Sequence, residues 1–409
     1  MSKATKGGCA RHLLISGGVM LLLSIVLIVL NWGTFSLMFS NMLALGEGAN
    51  IAEEMQTPDD LLSFVAERPE HASLVVFDVG EEEEGIFFGA DEERPIMNVY
   101  RLLLLAAYGA AVEAGEIDPD ERLALDELRR FHLEARGQGG HRAAVERLRD
   151  EGLIEDDSLS IASAVRGAVQ FNDEAAADWL LLRLGEQKVD ELREAMGWSK
   201  VASPLPSSGQ VLSWSHPKME ERPGERVESL RGMDRETYRS EVFALTEQFI
   251  EEGSFREEVL SVIRDRGTEI SLRDQRNLAI ATQTRGTARE YASFLADALQ
   301  GQLVSDSVSR FIHASLDRQV GADTLARPMP VERIGAISGS FPGVVSFAGY
   351  ARRPDPLPDR VVVFFMEEVP IAVFYHLMQT GMDRALQVRL LSDDAYVEEV
   401  KSFLDDSAG

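Results

Sequence analysis

The sequence predicts an α+β fold whose antiparallel sheet is built from both ends of the chain, with an all-helical lobe between them. Residues 73–79 (SLVVFDV) and 85–89 (GIFFG) have the β-branched and aromatic side chains typical of strands and flank an acidic turn. Residues 333–338, 344–352 and 360–367 have the same character near the other end. The sequence between these groups has helical periodicity. Strands, then helices, then strands is the order expected of an α+β domain.

Charge and composition limit the classes of function. Acidic residues outnumber basic ones 68 to 41 in 409 residues, which gives a formal net charge of −27. Such a chain does not neutralise a phosphate backbone, so we predict no nucleic-acid partner. Cys9 is the single cysteine, which excludes an internal disulfide. No group of His, Cys and Asp residues has the spacing of metal ligands, so we predict neither a metal nor another cofactor.

The N-terminal segment predicts a membrane anchor. Residues 13–30 contain no charged side chain, and the basic residues Lys3, Lys6 and Arg11 precede them. Eighteen mostly apolar residues are just enough to span a bilayer, and a basic flank stays in the cytoplasm. A cleaved signal peptide is the alternative, although the apolar core of a signal peptide is usually shorter.

The anchor divides the chain into four predicted parts. They are a cytoplasmic tail at 1–12, a transmembrane helix at 13–32, a connecting helical segment at 33–70 and a domain at 71–409. Thr57 is expected to cap a helix within the connecting segment. We therefore expect a cell-membrane protein that crosses the bilayer once, with its main domain outside the cytoplasm, either periplasmic or extracellular.

Inside the domain, the helical lobe is expected over about residues 115–320. It follows a central helix predicted at 94–116, where an extended segment through Pro95 leads into an apolar run. Residues 216–237 are charged, contain two prolines and lack periodicity, so we expect an insertion loop or a flexible flap there. A terminal helix is predicted at 397–404.

Three short motifs occur along the domain in a set order. They are Asn98-Val99-Tyr100-Arg101 at the start of the central helix, Asn172-Asp173-Glu174 after a helix ending in AVQF, and Ile337-Ser338-Gly339 on a predicted strand. This layout resembles the penicillin-recognising serine hydrolases, which include class A β-lactamases and D-Ala-D-Ala peptidases. The resemblance covers about residues 72–380 and includes two further stretches, 111–123 (AVEAGEIDPDERL) and 286–292 (GTAREYA). It implies a β-lactamase/transpeptidase-like fold.

The same resemblance implies that the catalytic groups of the family have been replaced. The family uses Ser-x-x-Lys in the first motif, and here these positions hold Asn98 and Arg101. An amide is no nucleophile, and a guanidinium stays protonated and cannot act as a base. No Ser, Thr, Cys or Lys occurs between Ser73 and Ser158, which rules out an error of register.

The second and third motifs are altered in the same way. Asn172 replaces the serine that relays protons in the family, and Glu174 replaces the asparagine that binds substrate. Ile337 replaces the lysine of Lys-Thr-Gly. No acidic residue near 207–209 corresponds to the group that activates water in the family. If the geometry of the family holds, Arg101 and Glu174 lie close together and can form an ion pair.

These substitutions favour a membrane-anchored pseudoenzyme that retains the cleft as a binding or regulatory surface. The expected cleft residues are Asn98, Tyr100, Arg101, Asn172, Asp173, Glu174, Ser338, Gly339 and Ser340. Peptidoglycan fragments or a protein partner are the expected ligands. One alternative is a serine hydrolase of the β-lactamase or D-Ala-D-Ala carboxypeptidase type with displaced chemistry, in which Ser338 or Ser340 is the nucleophile. Another is a structural module whose cleft is filled.

Overall fold

A six-stranded antiparallel sheet forms the centre of the domain, and strands from both ends of the chain meet in it. The strand order is β2-β1-β10-β9-β8-β7. The strands are β1 (Ala72–Asp78), β2 (Ile86–Phe88), β7 (Asp317–Gln319), β8 (Arg333–Phe341), β9 (Val344–Arg352) and β10 (Arg360–Met366). β1 pairs with β10 from Ala72 opposite Met366 to Asp78 opposite Arg360. The predicted sheet is confirmed, and β7 is an additional edge strand.

The computed structural model describes residues 32–133, 140–266, 270–319 and 331–407. Two short ribbons accompany the sheet: β3 (Arg94–Pro95) pairs with β6 (Arg285–Gly286), and β4 (Arg122–Ala124) pairs with β5 (Ser158–Ser160). Residues 13–31 of the predicted anchor lie outside the described residues. Within the described part of the chain, no helix is both long enough and apolar enough to cross a membrane.

The helices fall into three groups along the chain. Before the sheet come α1 (Trp32–Gly46), α2 (Ala49–Glu54) and α3 (Pro58–Ala66). The lobe contains α4 (Arg101–Glu113), α5 (Leu125–Arg129), α6 (Gly140–Asp150), α7 (Ile161–Gln170), α8 (Glu174–Leu184), α9 (Glu186–Ala195), α10 (Ser207–Trp214), α11 (Pro223–Gly232), α12 (Arg235–Glu251), α13 (Gly253–Arg266), α14 (Leu272–Thr282), α15 (Ala288–Leu299) and α16 (Asp306–Leu316). The chain continues with α17 (Ile371–Thr380), α18 (Met382–Ser392) and α19 (Asp394–Ser407).

Helices cover both faces of the sheet, so its central strands are buried on both sides. Alternate residues of β1 point to opposite cores: Val75 and Phe77 pack with α4 and the lobe, whereas Leu74 and Val76 pack with α3 and the C-terminal helices. Burial on two faces explains why β1 and β10 are continuous apolar runs.

The predicted connecting segment contributes to the domain core. Thr57 caps α3 as expected, in a capping box with Asp60. Leu61, Phe64 and Val65 on this helix are buried in the same cluster as the sheet. Residues 58–66 therefore pack as part of the domain, although the boundary was predicted at residue 71.

The central helix begins later than the sequence suggested. Arg94 and Pro95 form β3, residues 97–100 form a 3₁₀ turn, and the α-helix begins at Arg101. The predicted start at Arg94 is therefore wrong. Pro95 has no N–H for a helical hydrogen bond and biases the residue before it towards extended backbone.

The predicted flap at 216–237 is also partly wrong. Residues 223–232 form α11, with Pro223 in the first turn, where a missing N–H costs nothing. Val227 and Leu230 are each 3% exposed. The helix was not predicted because the segment is highly charged and has only these few apolar residues on one face. Helix α18 (Met382–Ser392) was also not predicted from the sequence.

Candidate functional site at the start of the central helix

Three elements converge at the start of α4 and bring the three motifs together. The 3₁₀ turn carries Asn98, the α7–α8 connection carries Asn172, and β8 carries Ser338. Asn98 Nδ2 donates to Asn172 Oδ1 at 2.9 Å and lies 3.4 Å from the carbonyl oxygen of Ser338. The three motifs are far apart in sequence and meet in one cleft.

Strand β8 lies against the 3₁₀ turn with no room for a side chain between them. A Cβ at Gly339 would lie 2.6 Å from the backbone nitrogen of Asn98. Ser346 on the adjacent strand donates its hydroxyl to the carbonyl oxygens of Ile96 at 2.9 Å and Gly339 at 3.1 Å. These contacts hold Gly339 against the first motif, so any larger residue there would push the two elements apart.

Arg101 lies beneath the cleft and is only 1% exposed. Its Nη1 donates to the carbonyl oxygen of Ala168 at 2.8 Å and to Asn172 Oδ1 at 3.0 Å. Its Nε and Nη2 atoms are buried without a hydrogen-bond partner among the described residues.

Tyr100, the residue before Arg101, is 3% exposed. Burial raises the pKa of its hydroxyl, which also lacks a hydrogen-bond partner in the described part of the chain. Neither side chain acts as a base at neutral pH.

The second motif is partly structural. Asp173 is 1% exposed, caps α8 by accepting from the backbone nitrogen of Ala176 at 3.1 Å, and lies 2.9 Å from His141 Nδ1. Burial raises the pKa of Glu174, and the charge of Arg101 partly offsets that effect.

The structure describes both Arg101 and Glu174, and no ion pair within 4.0 Å joins them. The expected ion pair is therefore wrong, because Arg101 bonds Asn172 and Ala168 instead.

Asp178 is a buried acid that the sequence reasoning missed. Its carboxylate accepts from the backbone nitrogens of Ser207 at 2.7 Å and Ser208 at 2.8 Å, at the start of α10. Burial raises the pKa of Asp178 to about 6, against the lowering effect of these hydrogen bonds and of Arg101. The signal in the sequence was an acid one helical turn after Glu174 in an otherwise apolar run.

Two residues of the cleft have a left-handed backbone. Met97, just before Asn98, has φ +44°, and Asn172 has φ +62°. Asparagine tolerates this region, but methionine does so at a cost of about 1–3 kcal/mol. The surrounding packing therefore holds the backbone at Met97, next to the Asn98–Asn172 hydrogen bond, in an unfavourable conformation.

The cleft remains accessible on the side of β8. Ser338, Ser340 and Asn172 are exposed, and a cavity of about 320 Å³ lies between Phe171, Asn172 and Ser338. No base is hydrogen-bonded to the Ser338 hydroxyl within the described part of the chain. Among the described residues, no group of three or more His, Cys, Asp or Glu side chains is placed to hold a metal ion.

A helical lobe beside an antiparallel sheet, with three motifs meeting at the start of the central helix, defines a β-lactamase-like domain of the serine β-lactamase and penicillin-binding protein superfamily. The chain belongs to the β-lactamase enzyme family, whose model matches residues 56–376. A comparison with curated protein sequences finds no match.

Several solved structures are similar to this chain. The β-lactamase of Sphaerobacter thermophilus DSM 20745 shares 16% identity over 80% of this chain and 95% of its own, with a TM-score of 0.49. The β-lactamase of Chitinophaga pinensis DSM 2588 shares 11% identity over 80% of this chain and 99% of its own, with a TM-score of 0.49. A point mutant of PBP-A, solved as an acyl-enzyme complex with penicillin G, shares 14% identity over 83% of this chain and 96% of its own, with a TM-score of 0.46.

Proposed function

We propose that the protein is a non-catalytic member of its family that binds a ligand in the cleft at Asn98. The observation that carries this proposal is the Asn98–Asn172–Arg101 contact, in which two amides and a guanidinium occupy the positions of the family's catalytic groups. None of the three is a nucleophile or a general base. The cleft nevertheless keeps the strained backbone at Met97 and the exposed residues along β8.

The proposed ligand is a peptidoglycan fragment, since the family relatives include cell-wall peptidases and the exposed cleft side chains are neutral hydrogen-bonding groups. Asn172, Ser338 and Ser340 offer donors and acceptors along one side of the cleft. A protein partner is the second candidate. Saturable binding of a muropeptide that is lost when Ser338 is changed to a bulky residue would favour the first.

The decisive experiment compares covalent labelling by a fluorescent penicillin in the wild type and in the Asn98→Ser/Arg101→Lys variant. The variant regains a hydroxyl and an amine that can lose its proton. We expect no label on the wild type and stable labelling of the double variant. Asn98→Ala/Arg101→Lys is the matched control and should stay unlabelled, because it lacks the hydroxyl.

The same experiment tests the alternative of displaced chemistry. Labelling of the wild type that disappears in Ser338→Ala or Ser340→Ala would overturn the proposal and establish a serine hydrolase. If muropeptide titration of the unlabelled wild type also gives no saturable signal, the proposed peptidoglycan ligand is wrong, and a protein partner or a purely structural module is left.

We also propose that the protein is held at a membrane by its N-terminal segment. Helix α1 follows directly on the uncharged stretch 13–30 and exposes apolar side chains to solvent. These are Met38, Phe39, Met42, Leu43 and Leu45, which are 47–64% exposed. A lipid surface is a suitable cover for such side chains beside an anchor.

Alkaline extraction of membranes tests the anchor. We expect the full chain to stay in the membrane pellet, as integral proteins do, and the mass of the purified protein to include residues 1–31. A mature protein that begins after residue 31 would establish a cleaved signal peptide instead.

A further inference from the structure

A second cavity lies away from the cleft, between residues 199–205, the start of α12 and residues 281–285. It has a volume of about 510 Å³ and shares no lining residue with the cavity beside Asn172. Pockets that bind small molecules usually have volumes of about 300–1,000 Å³. We call it the arginine pocket, after the four arginines that line it: Arg193, Arg235, Arg239 and Arg285.

The charged side chains that line the arginine pocket are mostly basic, unlike those of the chain as a whole. Acids outnumber bases 68 to 41 over the chain, but the pocket is lined by four arginines and one acid, Glu236. An excess of guanidinium groups in a concave site attracts anions, since low-dielectric walls focus the field.

Three of the four arginines are paired with acids. Arg239 bonds Glu186 and Asp190, Arg193 lies near the same Asp190, and Arg285 lies 3.2 Å from Glu367. These pairs fix the position of the guanidinium groups and neutralise most of their charge. They form the frame of the pocket and leave little charge for a ligand.

Arg235 differs from the others because it has no hydrogen bond and no ion pair within 4.0 Å in the described part of the chain. It stands at the start of α12, where it is exposed to solvent at the mouth of the pocket. Loss of surrounding water lowers the pKa of Arg235, and Arg285 and Arg193 lower it further, against the opposing charge of Glu93. An anion bound beside Arg235 would relieve this repulsion among the three cations.

A second donor in the same pocket also lacks a partner. Thr284 is 2% exposed, lines the arginine pocket, and its hydroxyl has no hydrogen-bond partner among the described residues. Leaving a buried hydroxyl unpaired is unfavourable. The rest of the lining includes the apolar side chains of Leu205, Leu230 and Met233.

From this combination we propose that the arginine pocket binds a small amphiphilic anion, with its oxyanion group on Arg235 and Thr284 and its apolar body against Leu205 and Leu230. Arginine binds carboxylates and phosphates through paired N–H donors, which suits both head groups. The site does not depend on the function proposed for the cleft.

Calorimetric titration of the full chain in lipid nanodiscs, with empty nanodiscs as the blank, tests this site. The probes are hexanoate, hexyl phosphate, hexylamine and inorganic phosphate. Saturable binding is expected for at least one of the two hexyl anions, and the stronger of them identifies the preferred head group. Inorganic phosphate should bind more weakly than hexyl phosphate because it lacks the apolar body, and hexylamine should not bind.

Arg235→Gln should weaken binding of the preferred anion by about tenfold or more, the effect of losing one charge-assisted hydrogen bond. Arg231→Gln is the matched control, because Arg231 is exposed, pairs with Glu228 at 3.0 Å and does not line the pocket. Thr284→Val should weaken binding less and leave specificity against hexylamine intact.

The proposal is overturned if no probe binds, if hexylamine binds as well as the anions, or if Arg235→Gln binds like the wild type. Penicillin labelling of the Asn98→Ser/Arg101→Lys variant should be unaffected by Arg235→Gln. Failure at the arginine pocket and failure at the cleft can therefore be told apart.

Discussion

Two arginines seven positions apart, Arg94 and Arg101, are equally buried but differ in how their donors are used. Arg94 is 2% exposed, and all three of its nitrogens donate hydrogen bonds, including one from Nη1 to Glu367 at 2.8 Å. Its other acceptors are Ser73 and the carbonyl oxygens of Glu70, Pro69 and Ala72. Arg101 is 1% exposed, uses only Nη1, and has no bonded acid among the described residues.

The difference separates a charge that is fully bonded within the fold from one whose donors are only partly used. Arg94 ties the chain before β1 and the end of β10 to β3, so its charge is compensated where it stands. Arg101, which we propose stands at the position of the family's lysine, has two donors without acceptors among the described residues. A buried charge that is incompletely paired costs stability, so Arg101 should contribute less to the stability of the fold than Arg94 does.

The largest expected effect comes from removing each arginine in turn. Arg94→Met should lower the free energy of unfolding by about 3–5 kcal/mol, because it breaks a buried ion pair and leaves several acceptors without donors. Arg101→Met should change it by no more than about 1 kcal/mol, since losing two hydrogen bonds is offset by removing two unpartnered donors. Denaturant unfolding measures both values, and equal losses would contradict the comparison.

The next largest effect concerns pH and Asp178, whose pKa is raised from 3.8 to about 6. Because the folded state holds this proton more tightly than the unfolded state, Asp178 lowers stability as pH rises from about 4 to about 6. A shift of this size corresponds to roughly 3 kcal/mol across that window.

Asp178→Asn carries no titrating proton and keeps one acceptor for the backbone of Ser207 or Ser208. As pH rises from about 4 to about 7, the free energy of unfolding of the wild type should therefore fall relative to that of Asp178→Asn. Denaturant unfolding at several pH values measures it. Parallel curves would show that Asp178 does not titrate in this range.

The smallest effect is the coupling between Arg101 and Glu174. Since no ion pair joins them, a double-mutant cycle with alanine at both positions should give a coupling energy below about 1 kcal/mol. The Arg94–Glu367 pair, at 2.8 Å and buried, is the positive control and should couple more strongly. A coupling for Arg101–Glu174 as large as that of the control would indicate that the two side chains pair in solution.

Much of the fold could be predicted because its strands are short, apolar and bounded by turns. Residues 344–352 were predicted as a strand and form one with those bounds. Local patterns failed where tertiary contacts decide the outcome. Arg94 looked like the start of a helix, but its guanidinium is fully bonded by distant residues and its backbone pairs with Gly286.

The candidate site was located by motif order, but its contacts were not predictable. The sequence placed Asn98, Asn172 and Ser338 at one cleft, and the structure brings them together. The sequence could not show which residues Arg101 contacts, because the direction of a side chain depends on packing. Arg101 donates to Ala168 and Asn172 instead of pairing with Glu174. The arginine pocket was missed altogether, since its residues come from segments that have no motif.

The pairing of β1 with β10 sets a condition on the order of folding. Ala72 lies opposite Met366, so the central pair of strands joins residues almost a whole domain apart in sequence. Long-range pairing of this kind slows folding, because a large loop must close before the contacts form. During synthesis, β1 cannot pair with β10 until nearly the entire chain has been made. A nascent chain cut off before residue 360 lacks the strand that β1 needs, so it should expose that strand to chaperones and proteases.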